Sequence, residues 1–186
     1  MTPRIAPIEP PYTPETKAAL EKWMPPNSGL EPLALFRTLA RHPLLFERAR
    51  PLGAALLGRG TLPARVRELL ILRTCARCGA EYEWGVHVAA FAAAAQLDPD
   101  VVRATVRESP ARVAERDDDD ARVMRLADEL HDAGAVSDAA WGALAARFDD
   151  ASMLEMVAVA GFYHLISYVA NAARVALEPW AARFPA

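Results

Sequence analysis

The chain has 186 residues, 53% of them hydrophobic and 24% charged, with a formal net charge of −3. At about 100–200 residues per domain, this is material for one domain with a buried core, and it excludes both a small stapled scaffold and global disorder. The charge argues against a dedicated nucleic-acid binder, and Met-Thr-Pro-Arg-Ile-Ala-Pro at the N-terminus lacks an apolar signal segment, so a cytoplasmic protein with two free thiols is expected.

Eight of the fifteen prolines fall in residues 1–32, which predicts an extended arm around one short helix from Thr13 to about Trp23. The remainder, 33–186, reads as a single all-helical domain, because 39 alanines favour helix and no strand pattern competes. Leu33 to Ala40 makes a short helix. Pro43 opens one that reaches Leu57, closed by Gly58-Arg-Gly60. Pro63 starts a helix carrying four consecutive apolar residues, Leu69 to Leu72, until Gly79 interrupts it. Helices follow from Ala80 to Gln96, after Asp98-Pro99, after Pro110, and after the acidic run Asp117 to Asp120, whose charges suit a helix start. Ser137 caps another, with Trp141, Leu144, Ala145 and Phe148 as its stripe, and a last helix runs from about Ser152 to Glu178. Its stretch Met156 to Ala173 has no charge over 18 residues, which touches the lower limit for a membrane span. Tyr163, His164, Ser167, Tyr168 and Asn171 within it favour burial in a core or a subunit contact, so no membrane partner is expected. Charge is also uneven along the chain. Arg37 to Arg77 holds nine arginines against two acids, and Glu115 to Glu155 holds twelve acids against four arginines, which predicts two complementary faces that meet.

The chemistry concentrates in two blocks, Arg67-Glu68 to Arg73 and Glu81-Tyr-Glu-Trp-Gly-Val-His87. Glu83 and His87 share a helix face, and an antiparallel turn at Gly79 would bring Glu68 to the same place. Two carboxylates around one imidazole suit proton transfer, because each fixes a tautomer and tunes the ring. The same spacing also occurs as an ordinary surface contact. Arg73 is the nearest candidate for a substrate carboxylate, with an ion pair to Glu68 or another acid as the equal alternative. Trp84 and Phe91 are candidates for an apolar wall beside His87, or for core packing. Tyr163, Ser167 and Asn171 share one face of the last helix and read as either substrate pocket or interface hydrogen bonding, while His164 points elsewhere and reads as structural.

These stretches resemble one known family. Gly60-Thr-Leu-Pro-Ala-Arg-Val-Arg-Glu-Leu-Leu-Ile-Leu-Arg73 followed by Glu-Tyr-Glu-Trp-Gly-Val-His is similar to the carboxymuconolactone decarboxylase family, whose fold is shared with the alkylhydroperoxidase AhpD. Arg4-Ile5, Leu35 to Leu39, His42-Pro43 and Gly161-Phe-Tyr-His164 with Asn171 extend the likeness over nearly the whole chain. The AhpD signature is Glu, eleven residues, then Cys-x-x-Cys-x-x-x-His. Counted from Glu68, its cysteine positions fall on Ala80 and Glu83 and its histidine on His87. The pair Cys75-x-x-Cys78 lies five residues too early, at a helix C-terminus where the dipole disfavours thiolate.

The resemblance implies an all-α, AhpD-like helical bundle with a Pro-rich N-terminal arm, assembled as a homo-oligomer, a trimer or hexamer. It implies a lyase-like enzyme that works without cofactor or metal on a small-molecule substrate. His87 would deliver or remove a proton next to a carbonyl or lactone, Glu68 would orient the ring and Glu83 would relay, with Arg73, Trp84, Tyr163 and Asn171 as substrate-binding candidates. Two alternatives stand beside it, a thiol-based peroxidase or disulfide reductase and a non-catalytic oligomeric binding protein. Zinc held by the thiols and His87 would lack a second pair of ligands.

Overall fold

The computed structural model describes residues 2–25, 30–115 and 117–186. Among them are ten helices and no strand: α1 (Pro14–Glu21), α2 (Ala34–Leu39), α3 (Pro43–Gly58), α4 (Ala64–Arg77), α5 (Glu81–Phe91), α6 (Pro99–Arg107), α7 (Pro110–Ala114), α8 (Asp118–Ala133), α9 (Asp138–Ala145) and α10 (Asp150–Ala173). The all-α expectation holds among the described residues. Starts follow the sequence signals closely. Thr13, Asp98, Ser109, Asp117, Ser137 and Asp149 each accept a backbone N–H of the first turn through the side chain, so the acids after Asp117 are a helix start.

Ends are less obvious from the sequence. The predicted helix to Gln96 stops at Phe91 and continues as turns that end on Gln96 at φ 56°. The last helix stops at Ala173 rather than Glu178, with Arg174 left-handed at φ 54° and the Val175 N–H returning to the Ala170 carbonyl. Glu178 precedes Pro179, which disfavours helical backbone. Its carboxylate instead accepts the Ala34 N–H that opens α2 (2.7 Å) and the Tyr82 hydroxyl (2.6 Å). The arm is tied down by backbone bonds from Arg4 to Ala173 and from Ile8 to Arg37. The extended reading of Pro26 and Asn27 lies outside the described residues.

Helix α4 is the axis of the fold. It packs against α5, α6, α8 and α10, which is why Leu69, Leu70, Ile71 and Leu72 are all buried on successive faces of one helix. The arginine-rich and acid-rich halves meet here: Arg65 pairs with Asp120, Arg73 with Asp128 and Arg77 with Asp132. Each pair is separated by 55 residues, so α4 and α8 run parallel and in register. The complementary faces expected from the charge distribution are thus one intramolecular seam. Half of the apolar window of α10, the helix long and apolar enough to cross a membrane, is buried inside the fold.

Candidate functional site

A tight reversal between α4 and α5 builds the site. Gly79 takes φ 61°, its N–H returns to the Ala76 carbonyl and the Ala80 N–H to Cys75, the paired bonds of a Schellman cap. The chain turns back on itself, and α5 lays Glu83 and His87 over Glu68.

His87 is buried, and its Nδ1 lies 2.7 Å from Glu68 Oε2 while its Nε2 lies 3.5 Å from Glu83 Oε1. The second oxygen of Glu68 accepts Arg67 Nε–H at 3.1 Å. Burial by itself pushes the imidazole pKa down, but the hydrogen bonds and charges of Glu68 and Glu83 outweigh it and raise the ring from 6.5 to about 9. The upward shift favours the imidazolium form of a ring clamped between two carboxylates, with Arg67 as a further cation beside Glu68. Glu83 Oε2 is buried without a hydrogen-bond partner. Such an orphaned carboxylate oxygen costs stability unless a donor reaches it.

Aromatic rings close the sides. Tyr163 of α10 stands edge-on to His87 at 5.0 Å between centroids, and Phe91 leans on it at 5.0 Å. Of the other candidates, Trp84 is turned to Thr105, to whose hydroxyl its indole N–H donates at 3.0 Å, and to the ring of Phe184. Asn171 is exposed and donates to the Cys78 carbonyl at the end of α4. Arg73 forms a two-pronged pair with Asp128 (2.6 and 2.7 Å) and donates to the Thr105 and Glu108 carbonyls. That is the ion-pair alternative for Arg73, and the guanidinium holds α6 and α8 to α4 instead of facing His87. The structure thus brings Glu68, Glu83, His87 and Tyr163 together and places Arg73, Trp84 and Asn171 on other tasks.

The rest of the Glu-Tyr-Glu-Trp-Gly-Val-His block anchors distant chain. Glu81 accepts the Phe184 N–H, Tyr82 accepts the Leu35 N–H, and the Gly85 carbonyl accepts the Ala182 N–H. A side chain at 85 would strike the Ala182 carbonyl, so glycine there lets the C-terminal tail cross α5.

The two thiols part company. Cys75 is fully buried in α4 and takes a weak bond from the Ser167 hydroxyl (3.7 Å), and burial together with the charges of Glu83 and Glu68 pushes its pKa well up. Cys78, at the α4 C-cap, is half-buried, with its sulfur 3.8 Å from His131 Nδ1. The histidines His131 and His164, 3.0 Å apart, escaped the sequence reading because 33 residues separate them and no local spacing links either to Cys78.

Residues 43–116 match the model of the carboxymuconolactone decarboxylase family. No curated protein is a match to the chain. Among solved structures, the chain is similar to a peroxidase-related protein from Silicibacter sp. TM1040, with a TM-score of 0.80 at 19% identity, covering 100% of this chain and 97% of that one. It is also similar to the debrominase Bmp8, with a TM-score of 0.70 at 13% identity over 94% of this chain and 92% of that one. A cysteine-to-alanine variant of Bmp8 in complex with 2,3,4-tribromopyrrole gives 0.72 at 15% identity, over 96% and 94%. At these identities the likeness establishes the fold, and the family rests on the matched segment, which contains Glu68, Glu83 and His87. The segment that builds this buried group, residues 43–116, is thus the part of the chain that matches the carboxymuconolactone decarboxylase family.

Proposed function

We propose that the chain is a cofactor-independent acid/base enzyme, lyase-like, acting on a small carbonyl or lactone acid, and that it works as a homo-oligomer. The observation that carries this is the buried imidazole held between two carboxylates, one of which keeps an unpaired oxygen. Glu83 Oε2 takes a proton or hydrogen bond from the substrate, and His87, on the other oxygen of Glu83, supplies the proton that is returned. Glu68 holds the ring in place through Nδ1. In a decarboxylation the C–C bond to the carboxylate breaks, its electron pair enters the adjacent carbonyl as an enolate, and the proton of the His87 imidazolium quenches the carbanion carbon through Glu83. Carbon dioxide leaves, water re-protonates the ring, and the hydroxide so formed combines with the carbon dioxide as bicarbonate. A positioned acid of this kind contributes about 10²–10⁴-fold to rate.

Thiol chemistry is the competing reading. It is supported by the likeness to a peroxidase-related protein and by Cys75 beside the same carboxylates, but these charges and its burial oppose the thiolate that such chemistry needs. Turnover of a panel of lactones and unsaturated carboxylic acids separates the two. His87→Ala loses activity by about 10²-fold or more, whereas the double variant Cys75→Ser, Cys78→Ser keeps nearly all of it. Activity lost with the cysteines and kept without His87 would overturn the proposal.

A further inference from the structure

Away from the carboxylate-imidazole group, three helices present soft ligands to one point. Cys78 ends α4, His131 lies in the last turn of α8 and His164 faces them from the middle of α10. One ligand atom from each lies within 4.8 Å of the other two. His131 Nδ1 is 3.0 Å from His164 Nε2 and 3.8 Å from Cys78 Sγ. A zinc-type ion with bonds of about 2.0–2.1 Å to nitrogen and 2.3 Å to sulfur sets its tetrahedral ligands about 3.3–3.6 Å apart. The observed edges straddle that value, so small side-chain rotations fit the group to an ion without moving a helix.

The orientation of His164 is a second observation. Its Nδ1 lies 2.8 Å from the Ala160 carbonyl, an acceptor, so Nδ1 carries the proton and Nε2 presents its lone pair to Cys78 and His131. Metal-ligating histidines are characteristically held in this way, with the remote nitrogen donating to a backbone carbonyl. All three side chains are only partly buried, and the two histidines border a cleft of about 220 Å³ lined also by Leu130, Val157, Ala160, Gly161 and Tyr168.

We propose that Cys78, His131 and His164 form a binding site for a borderline-soft divalent transition-metal ion of the Zn²⁺ class, with the fourth coordination position facing this cleft. One thiolate and two imidazoles exclude Mg²⁺ and Ca²⁺, which require oxygen ligands. Binding displaces the Cys78 thiol proton to solvent and moves the His131 ring proton to Nε2, leaving Nδ1 to the ion. Because the ligands come from α4, α8 and α10, the ion clasps the arginine–aspartate seam at its C-terminal end, beside Arg77–Asp132. The site is independent of the proposed proton chemistry at His87, and either can fail without the other.

Cobalt(II) titration of the reduced, chelator-treated full chain is the test. The expected result is one equivalent per chain, with the intense visible bands of tetrahedral cobalt and a near-ultraviolet thiolate charge-transfer band. Cys78→Ser abolishes the charge-transfer band, His164→Ala weakens uptake by about tenfold or more, and Cys75→Ser retains both signals. In the unsubstituted protein, zinc also slows alkylation of Cys78, mapped by mass spectrometry, by about tenfold or more, a readout that needs no variant. Uptake without a charge-transfer band, uptake unchanged in His164→Ala, or Cys78 alkylation unaffected by saturating zinc would each overturn the site.

Discussion

His87 owes its role to its partners. Its pKa is raised from 6.5 to about 9 in the folded chain, so the native state binds this proton more tightly than the unfolded one. The stabilisation is fully present below about pH 6.5 and is lost as pH rises through about 9. Urea unfolding at fixed pH values should show stability falling across that window, and His87→Gln should flatten this part of the profile. Arg73 makes the opposite kind of prediction. Arg73→Met takes the donor from two carbonyls and leaves Asp128 only the looser pair with Arg77 at 3.5 Å, so the loss should approach about 3–5 kcal/mol, the cost of breaking a buried pair, while KM for any substrate stays unchanged. A KM raised tenfold with stability intact would return Arg73 to substrate binding. Spacing made Glu68, Glu83 and His87 readable because the turn between them is local. The partner of Arg73 sits 55 residues downstream, where no periodicity points to it.

Among the helices, starts were legible and ends were not. A cap is written in the residue that makes it, as at Asp98 and Ser137. An end such as Arg174 depends on tertiary demand, because the chain leaves α10 so that Glu178 can meet Ala34 and Tyr82. The turn at Gly79 belongs to the legible kind, and it carries the site. A side chain there meets nothing within 4 Å, so Gly79→Ala tests backbone conformation free of packing. The left-handed residue should cost about 1–2 kcal/mol, read by chemical denaturation. Activity should survive in the folded fraction, since the Schellman bonds are made by backbone.

At the scale of the whole molecule, α10 keeps an exposed apolar surface. On α10, Ala151, Leu154, Ala158, Gly161, Leu165, Tyr168 and Ala172 are exposed at alternating spacings of three and four, and Leu154 is 68% and Tyr168 58% accessible. This is the repeat of a helix seam that packs against another helix, and it is where the expected homo-oligomer, a trimer or hexamer, should form. Light scattering should give a multiple of 20.2 kDa, reduced to the monomer by Leu165→Glu; a monomer for the unsubstituted chain at micromolar concentration would contradict this. For the proposed proton-transfer centre, the sharpest test is nitrogen-15 NMR of the histidine imidazoles across pH. His87 should carry protons on both ring nitrogens at pH 7 and titrate near 9, with the transition moved down in Glu83→Gln. A His87 ring that is neutral at pH 7, or one whose titration ignores Glu83, would contradict the imidazolium clamp.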